Sequence, residues 1–239
     1  MAISLRGTST GPNSFAHATT INLPTGTTTG DLTIVVGSYF NLSAVTVPAG
    51  WTAAFNFNGQ FAFYRVFQVS DPSSLTISAA GVTNAFWQTA AISYIGCDGS
   101  TPVDVVNACV SIENGAQASS WGTGYFNAPS VNPNFVNDLL VGCFINGNSG
   151  GGGSFAAPSG FTARVSSTAG PNVGIADKQL SSAAATGNAI TTNFGGLAND
   201  DPYSGVMIAL HASGDTPSAQ SSATAAAAAE QRRQYDQTR

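Results

Sequence analysis

The feature that most constrains this chain is a two-residue hydrophobic period, repeated in short runs along most of its length. Leu32, Ile34 and Val36 alternate with Asp31, Thr33 and Val35; Leu75, Ile77 and Ala79 alternate with Thr76 and Ser78; Val206, Ile208 and Leu210 alternate with Met207, Ala209 and His211. Successive side chains of a strand point to opposite faces, so this period predicts strands. Strand-like runs fall near residues 16–23, 30–40, 51–57, 61–69, 74–79, 87–95, 105–113, 120–128, 137–146, 160–166, 172–180, 188–194 and 204–212. Turn formers separate them, as in Pro48-Ala49-Gly50 and Asp71-Pro72-Ser73. No helical period of useful length occurs before residue 220. Many short strands with turns between them predict an all-β antiparallel sandwich or barrel.

The pattern occurs twice. Gly30-Asp31-Leu32-Thr33-Ile34-Val35 is echoed by Asn137-Asp138-Leu139-Leu140-Val141-Gly142, and Pro48-Ala49-Gly50-Trp51-Thr52-Ala53 by Pro158-Ser159-Gly160-Phe161-Thr162-Ala163. Phe63-Tyr64-Arg65-Val66 aligns loosely with Ala176-Asp177-Lys178-Gln179, and Ala91 to Ile95 with Val206 to Leu210. The expected organisation is one β domain over 1–213, with pseudo-repeats 1–104 and 105–213. Two tandem sandwiches are the second choice, because no linker-like segment divides the repeats. Residues 214–222 read as a linker, and 223–239 as a helical tail built on the alanine run 225–229.

Composition narrows the function. Charged residues make up 8% of the 239-residue chain, with 7 basic against 12 acidic and a net charge of -5; globular domains usually carry about 25%. Lys178 is the only lysine. Clustered Lys and Arg, which phosphate-backbone binding requires, are missing from the body, so no nucleic-acid partner is expected. No apolar stretch is long enough for a membrane-spanning helix, and the first residues, Met1 to Thr8, carry no signal-peptide pattern. Cys97, Cys109 and Cys143 are odd in number and far apart, which argues for buried thiols over a disulfide framework.

Chemical motifs are sparse. Gly147-Asn148-Ser149-Gly150-Gly151 matches a nucleophile elbow in letters, but more glycines follow where a helix is required. His17 and His211 are the only candidate bases, and no pattern orients either toward Ser149. Two histidines and three scattered cysteines give no zinc spacing. Asp98, Asp104, Asp200 and Asp201 offer calcium-type oxygens but read more simply as turn formers. Glu113 and Glu230 are the only glutamates, so no local pattern favours a glycosidase pair. Trp51 and Trp87 read as core, while Trp121 with Tyr125 is the best candidate for stacking on a ligand. No enzyme activity, cofactor or metal is expected.

Four short motifs carry a family resemblance: Gly30-Asp31-Leu32, Pro48-Ala49-Gly50-Trp51, Tyr64-Arg65, and Tyr94-Ile95-Gly96-Cys97-Asp98 running on to Pro102-Val103-Asp104. The second repeat keeps Asp138-Leu139 and Pro158-Ser159-Gly160-Phe161, has Asp177-Lys178 in place of the Tyr-Arg pair, and lacks the exit motif. Over residues 1–212 the chain resembles a jelly-roll-like β-sandwich domain of phage virion proteins, also seen in bacterial secreted and surface proteins. The resemblance implies a structural or attachment role: a capsid decoration, head-fibre or tail component made in the host cytoplasm, forming homo-oligomers and contacting other virion proteins. A carbohydrate-binding adhesion module that takes a host-surface glycan is the alternative. The tail fits the first reading. Ala225, Ala228 and Ala229 permit close approach to a partner, Arg232 and Arg233 complement the helix dipole, and Tyr235 supplies an anchor.

Overall fold

The computed structural model describes residues 2–39, 44–81, 84–112, 125–147, 155–167, 171–192 and 202–217. Those residues form fifteen strands and no helix. The first half holds β1 (Ser4–Thr10), β2 (Ser14–Ala16), β3 (Ala18–Asn22), β4 (Leu32–Tyr39), β5 (Thr52–Phe57), β6 (Gln60–Val66), β7 (Ser74–Ser78) and β8 (Ala85–Ile95). The second holds β9 (Val103–Ile112), β10 (Tyr125–Ala128), β11 (Leu139–Asn146), β12 (Thr162–Ser166), β13 (Asn172–Gln179), β14 (Ala189–Thr192) and β15 (Pro202–Leu210). The expected tail helix lies outside the described residues.

Turn chemistry sets several connections. Pro48-Ala49-Gly50-Trp51 and Pro158-Ser159-Gly160-Phe161 each close with the fourth residue's N–H donating to the proline carbonyl, at 3.1 and 3.0 Å. Gly50 and Gly160 adopt φ of 78° and 77° in the third position, the left-handed geometry of a type II turn. Asn58 and Gly59 both have positive φ, as the tight hairpin between β5 and β6 requires.

The duplication extends to hydrogen-bond register. The first large sheet has the order β1-β8-β4-β6-β5, with β2 continuing the β1 edge along β8; the second has β9-β15-β11-β13-β12. Read strand for strand, the two orders are the same, and all the pairings are antiparallel. Leu32 faces Tyr94 and Val66, as Leu139 faces Leu210 and Gln179. Thr52 faces Tyr64, as Thr162 faces Asp177. Register breaks recur too: between Ala53 and Phe55 and between Ala163 and Val165, and at the edge strands between Leu5 and Gly7 and opposite Ala209 and Leu210. This register corrects one sequence alignment. Tyr94 is equivalent to Leu210, not Ala209, a one-residue slip that would have swapped every face.

Two-stranded ribbons, β3-β7 and β10-β14, complete the halves. The two large sheets share one apolar core, in which Leu32, Ile34, Val36 and Ile92 meet Val141, Cys143, Ile175 and Ile208. Behind the first sheet, Val35, Phe61, Phe63 and Trp87 pack with Ile21 and Ile77 of its ribbon. Behind the second, Phe144, Met207 and Ala209 pack with Phe126 and Ala189. Hence β4 and β11 are buried along their whole length on both faces. A layer on each side of a sheet removes the need for polar outward positions. The fold is therefore an all-β antiparallel, multi-sheet arrangement. Strands β1 and β2 were absent from the sequence expectation, because an edge strand rich in Ser, Thr and Gly carries no apolar period.

Candidate interaction surface

The residues singled out in sequence fare unevenly. Trp121, Ser149, Ala225, Ala228, Ala229, Arg232, Arg233 and Tyr235 lie outside the described residues. Tyr125 begins β10 opposite Thr192. Trp87 is fully buried, stacked on Tyr39 at 4.6 Å, with Nε1 donating to the Ala16 carbonyl at 2.9 Å. Trp51 is half-buried against the same cluster. His211 is buried and stacked on Phe135 at 3.7 Å. Asp98 accepts from the backbone N–H and hydroxyl groups of Ser100 and Thr101, and these donors hold its carboxyl well below the usual range, the Thr101 N–H foremost. That is a turn-forming role. The three cysteines are free; Cys97 and Cys143 are buried and Cys109 is half-buried. Among the described residues, no three His, Cys, Asp or Glu side chains stand together at metal-ligand spacing.

Two polar grooves mark where the halves meet. The first, about 450 Å³, is lined by Thr52, Tyr64, Arg65, Gln68, Thr101 and Val103. The second, about 480 Å³, is lined by Ser4, Leu5, Thr162, Arg164, Asp177 and Lys178. The register makes them equivalent: Thr52 corresponds to Thr162, Tyr64 to Asp177, Arg65 to Lys178 and Val103 to Leu5. Each groove combines the outer hairpin of one half with the edge strand of the other. Arg65 pairs with Asp71 and reaches the Ala49 carbonyl at 3.2 Å. Asp177 accepts from Arg164 Nε at 2.8 and 2.9 Å, and from the buried Tyr94 hydroxyl of the opposite sheet at 3.0 Å. Burial, reinforced by the Asp177 charge, raises the Tyr94 phenol well above its ordinary value, which keeps it a donor. Lys178 lies over the Phe161 ring at 5.9 Å. The Phe161 position is Trp51 in the first half.

A different surface lies at the edge of the first sheet. The edge strand breaks at Gly11-Pro12-Asn13, and β2 resumes with Phe15 directly opposite Phe86. The rings are 4.8 Å apart and are 59% and 42% exposed. Phe86 alternates with the buried Trp87, so it lies on the face shared with Ala90 and Ile92, turned toward the second sheet. Pro12 cannot donate to a ladder and interrupts the edge, a device that discourages indiscriminate strand pairing. An exposed aromatic pair beside such a break offers apolar contact area to a partner. Sequence patterning missed it because Phe15 stands in the polar run Asn13-Ser14-Phe15-Ala16-His17.

No protein-family profile matches the chain, and no curated protein matches it. Among solved structures, vicilin from Corylus avellana (hazelnut) is similar over 90% of this chain and 85% of that chain, with 8% identity and a TM-score of 0.23. Likeness at that level carries no argument about fold or function.

Proposed function

We propose that the chain is a structural protein of a phage particle, a capsid decoration, head-fibre or tail component held by protein–protein contacts. In this reading the body is a jelly-roll-like β-sandwich of two pseudo-repeats, and residues 223–239 add a helix that engages neighbouring virion proteins or further copies of the chain. The observation that carries the reading is the solvent-facing Phe15–Phe86 pair on an interrupted sheet edge. It belongs to a chain with 8% charged residues, a surface suited to contact with protein. The test replaces both rings, Phe15→Ser with Phe86→Ser. The double variant keeps the β circular dichroism spectrum of the parent, because neither ring belongs to the core, and loses incorporation into particles or self-association. Wild-type occupancy of the double variant would refute the reading.

The twin grooves favour a second reading, a glycan-binding adhesion module. Arg65, Thr52, Tyr64 and Gln68 in one groove, and Lys178, Thr162 and Asp177 in the other, supply hydroxyl, amide and charged partners of the kind that orient sugars. Screening on a glycan array separates the two readings: binding lost together in Arg65→Ala and Lys178→Ala supports the adhesion module.

A further inference from the structure

The two grooves match in register but not in charge. In the second, Arg164 is the extra residue of the bulge between Ala163 and Val165. Ala54 holds that place in the first half, between Ala53 and Phe55. Asp177 likewise stands where the first half has Tyr64. The first half therefore builds the same bulge and the same strand pairing with neither charge, so the fold does not require the Arg164–Asp177 pair.

That pair leaves donors to spare. Arg164 contacts Asp177 through Nε alone, and the Tyr94 hydroxyl holds Asp177 from the opposite sheet. Among the described residues, the two Nη groups of Arg164 have no hydrogen-bond or ion-pair partner, and its side chain is 30% exposed. A guanidinium clamped at one nitrogen and open at the other two is pre-organised for a planar oxyanion, which takes two parallel N–H bonds. Lys178 follows Asp177 in β13 and lines the same groove. It has no acidic partner among the described residues. Its stem packs on the turn at Gly160, where a Cβ would stand 3.6–3.8 Å from Nζ, Cε and Cδ.

The charged residues lining this groove are thus two cations against one anion, in a chain of net charge -5. In the first groove the charged residue is Arg65, and its Nη groups go to Asp71 and the Ala49 carbonyl. Its charge is already matched.

We propose that the groove of Arg164 and Lys178 binds an acidic saccharide, with the sugar carboxylate on the Nη pair of Arg164 and the Lys178 ammonium supplying the second positive charge. Ser4 and Thr162, both exposed residues of the same groove, offer hydroxyls to the rest of the sugar. The proposal rests on the adhesion-module reading and adds to it the class of sugar and the half of the chain that selects it.

The test uses the full chain with immobilised uronic-acid and sialic-acid oligosaccharides, each beside its carboxyl-reduced counterpart. The parent binds at least one acidic form about tenfold more tightly than its reduced form, the scale of a charge-assisted contact at a partly open site. Added salt narrows that gap. Arg164→Ala installs the residue that the first half carries at Ala54, and Lys178→Gln removes the ammonium. Each lowers the preference for the acidic form by about threefold or more and keeps the β circular dichroism spectrum. Lys178→Gln alone decides the matter if Arg164→Ala folds poorly. Equal binding of acidic and reduced forms by the parent overturns the proposal and leaves the adhesion reading standing. Binding to no saccharide overturns both. A preference that survives unchanged in the folded variants also overturns the proposal, because the carboxylate is then read elsewhere.

Discussion

Removing the Tyr94 hydroxyl tests how strongly the two large sheets are tied by the polar contact inside their core. Tyr94 is fully buried and donates to Asp177, which is itself held by Arg164. A hydrogen bond to a charged acceptor contributes about 1.5–3 kcal/mol. In Tyr94→Phe, Asp177 keeps both Arg164 contacts, so the low end applies, about 1.5 kcal/mol. In Asp177→Ala the phenol becomes a buried donor without an acceptor, which costs about 1–3 kcal/mol. Arg164, with 30% of its side chain exposed, turns to solvent, so its lost pairing adds only about 0–1 kcal/mol. The sum for Asp177→Ala is about 1–4 kcal/mol. For a chain of this size, each kcal/mol moves Tm by roughly 2–4 °C, which places Tyr94→Phe about 3–6 °C below the parent. In the double variant no orphan donor remains, so its cost falls short of the summed single costs by about 1–2 kcal/mol. Urea unfolding of the parent, both single variants and the double variant measures this coupling directly. Costs that add to within about 0.5 kcal/mol would show that the Tyr94–Asp177 contact does not join the sheets and would refute the reasoning.

Gly205→Ala is expected to be severely destabilising, because a Cβ at this position in β15 would overlap the Asn127 carbonyl of β10; a drop in Tm larger than that of Tyr94→Phe checks it. Asp98 gives the chain an acid-sensitive turn: its lowered carboxyl contributes stability above its unfolded value, about 3.9, and loses it as pH falls below that. Asp98→Ala should therefore show a shallower fall in Tm between pH 5 and pH 3 than the parent. Burial pushes the Cys97 and Cys143 thiols up to about 12, so mass spectrometry after iodoacetamide at neutral pH should find both unmodified in native protein and modified after unfolding.

Much of this architecture could be read in the chain. The Gly30-Asp31-Leu32 and Pro48-Ala49-Gly50 blocks and their echoes located the central strands and the type II turns, since alternation and a left-handed glycine are local signals. Less legible was whatever depends on the third dimension. Val35 and Thr33 look like the wet side of β4, yet both are buried, because a ribbon distant in sequence lies over them. Ser4 to Thr10 looks like loop, because its strand character comes from the β8 ladder and not from its own side chains. Arg6, between Leu5 and Gly7, and Asp104, between Val103 and Val105, are the extra residues of matching bulges in β1 and β9, an equivalence invisible without register because no alignment of letters pairs them. The exposed Phe15 and Phe86 are 71 positions apart in sequence, and only strand pairing brings them together.

Each half closes its own ladders. β1 pairs with β8 and β9 with β15, so among the described residues no strand ladder runs between halves, and the Cys97–Ala212 bridge is an isolated contact at their junction. On the ribosome, the first half can complete its backbone bonding once Ile95 has emerged. Its inner face, with Leu32, Ile34, Val36 and Ile92, still awaits the strands that end at Leu210. At synthesis rates of about 5–20 residues per second, that face stays uncovered for roughly 6–23 seconds. During that interval the nascent chain is a half-built body with a greasy flank. Neighbouring nascent chains on one message carry the same flank, and an exchanged pairing between the first half of one chain and the second half of another is the misassembly to which this topology is most exposed.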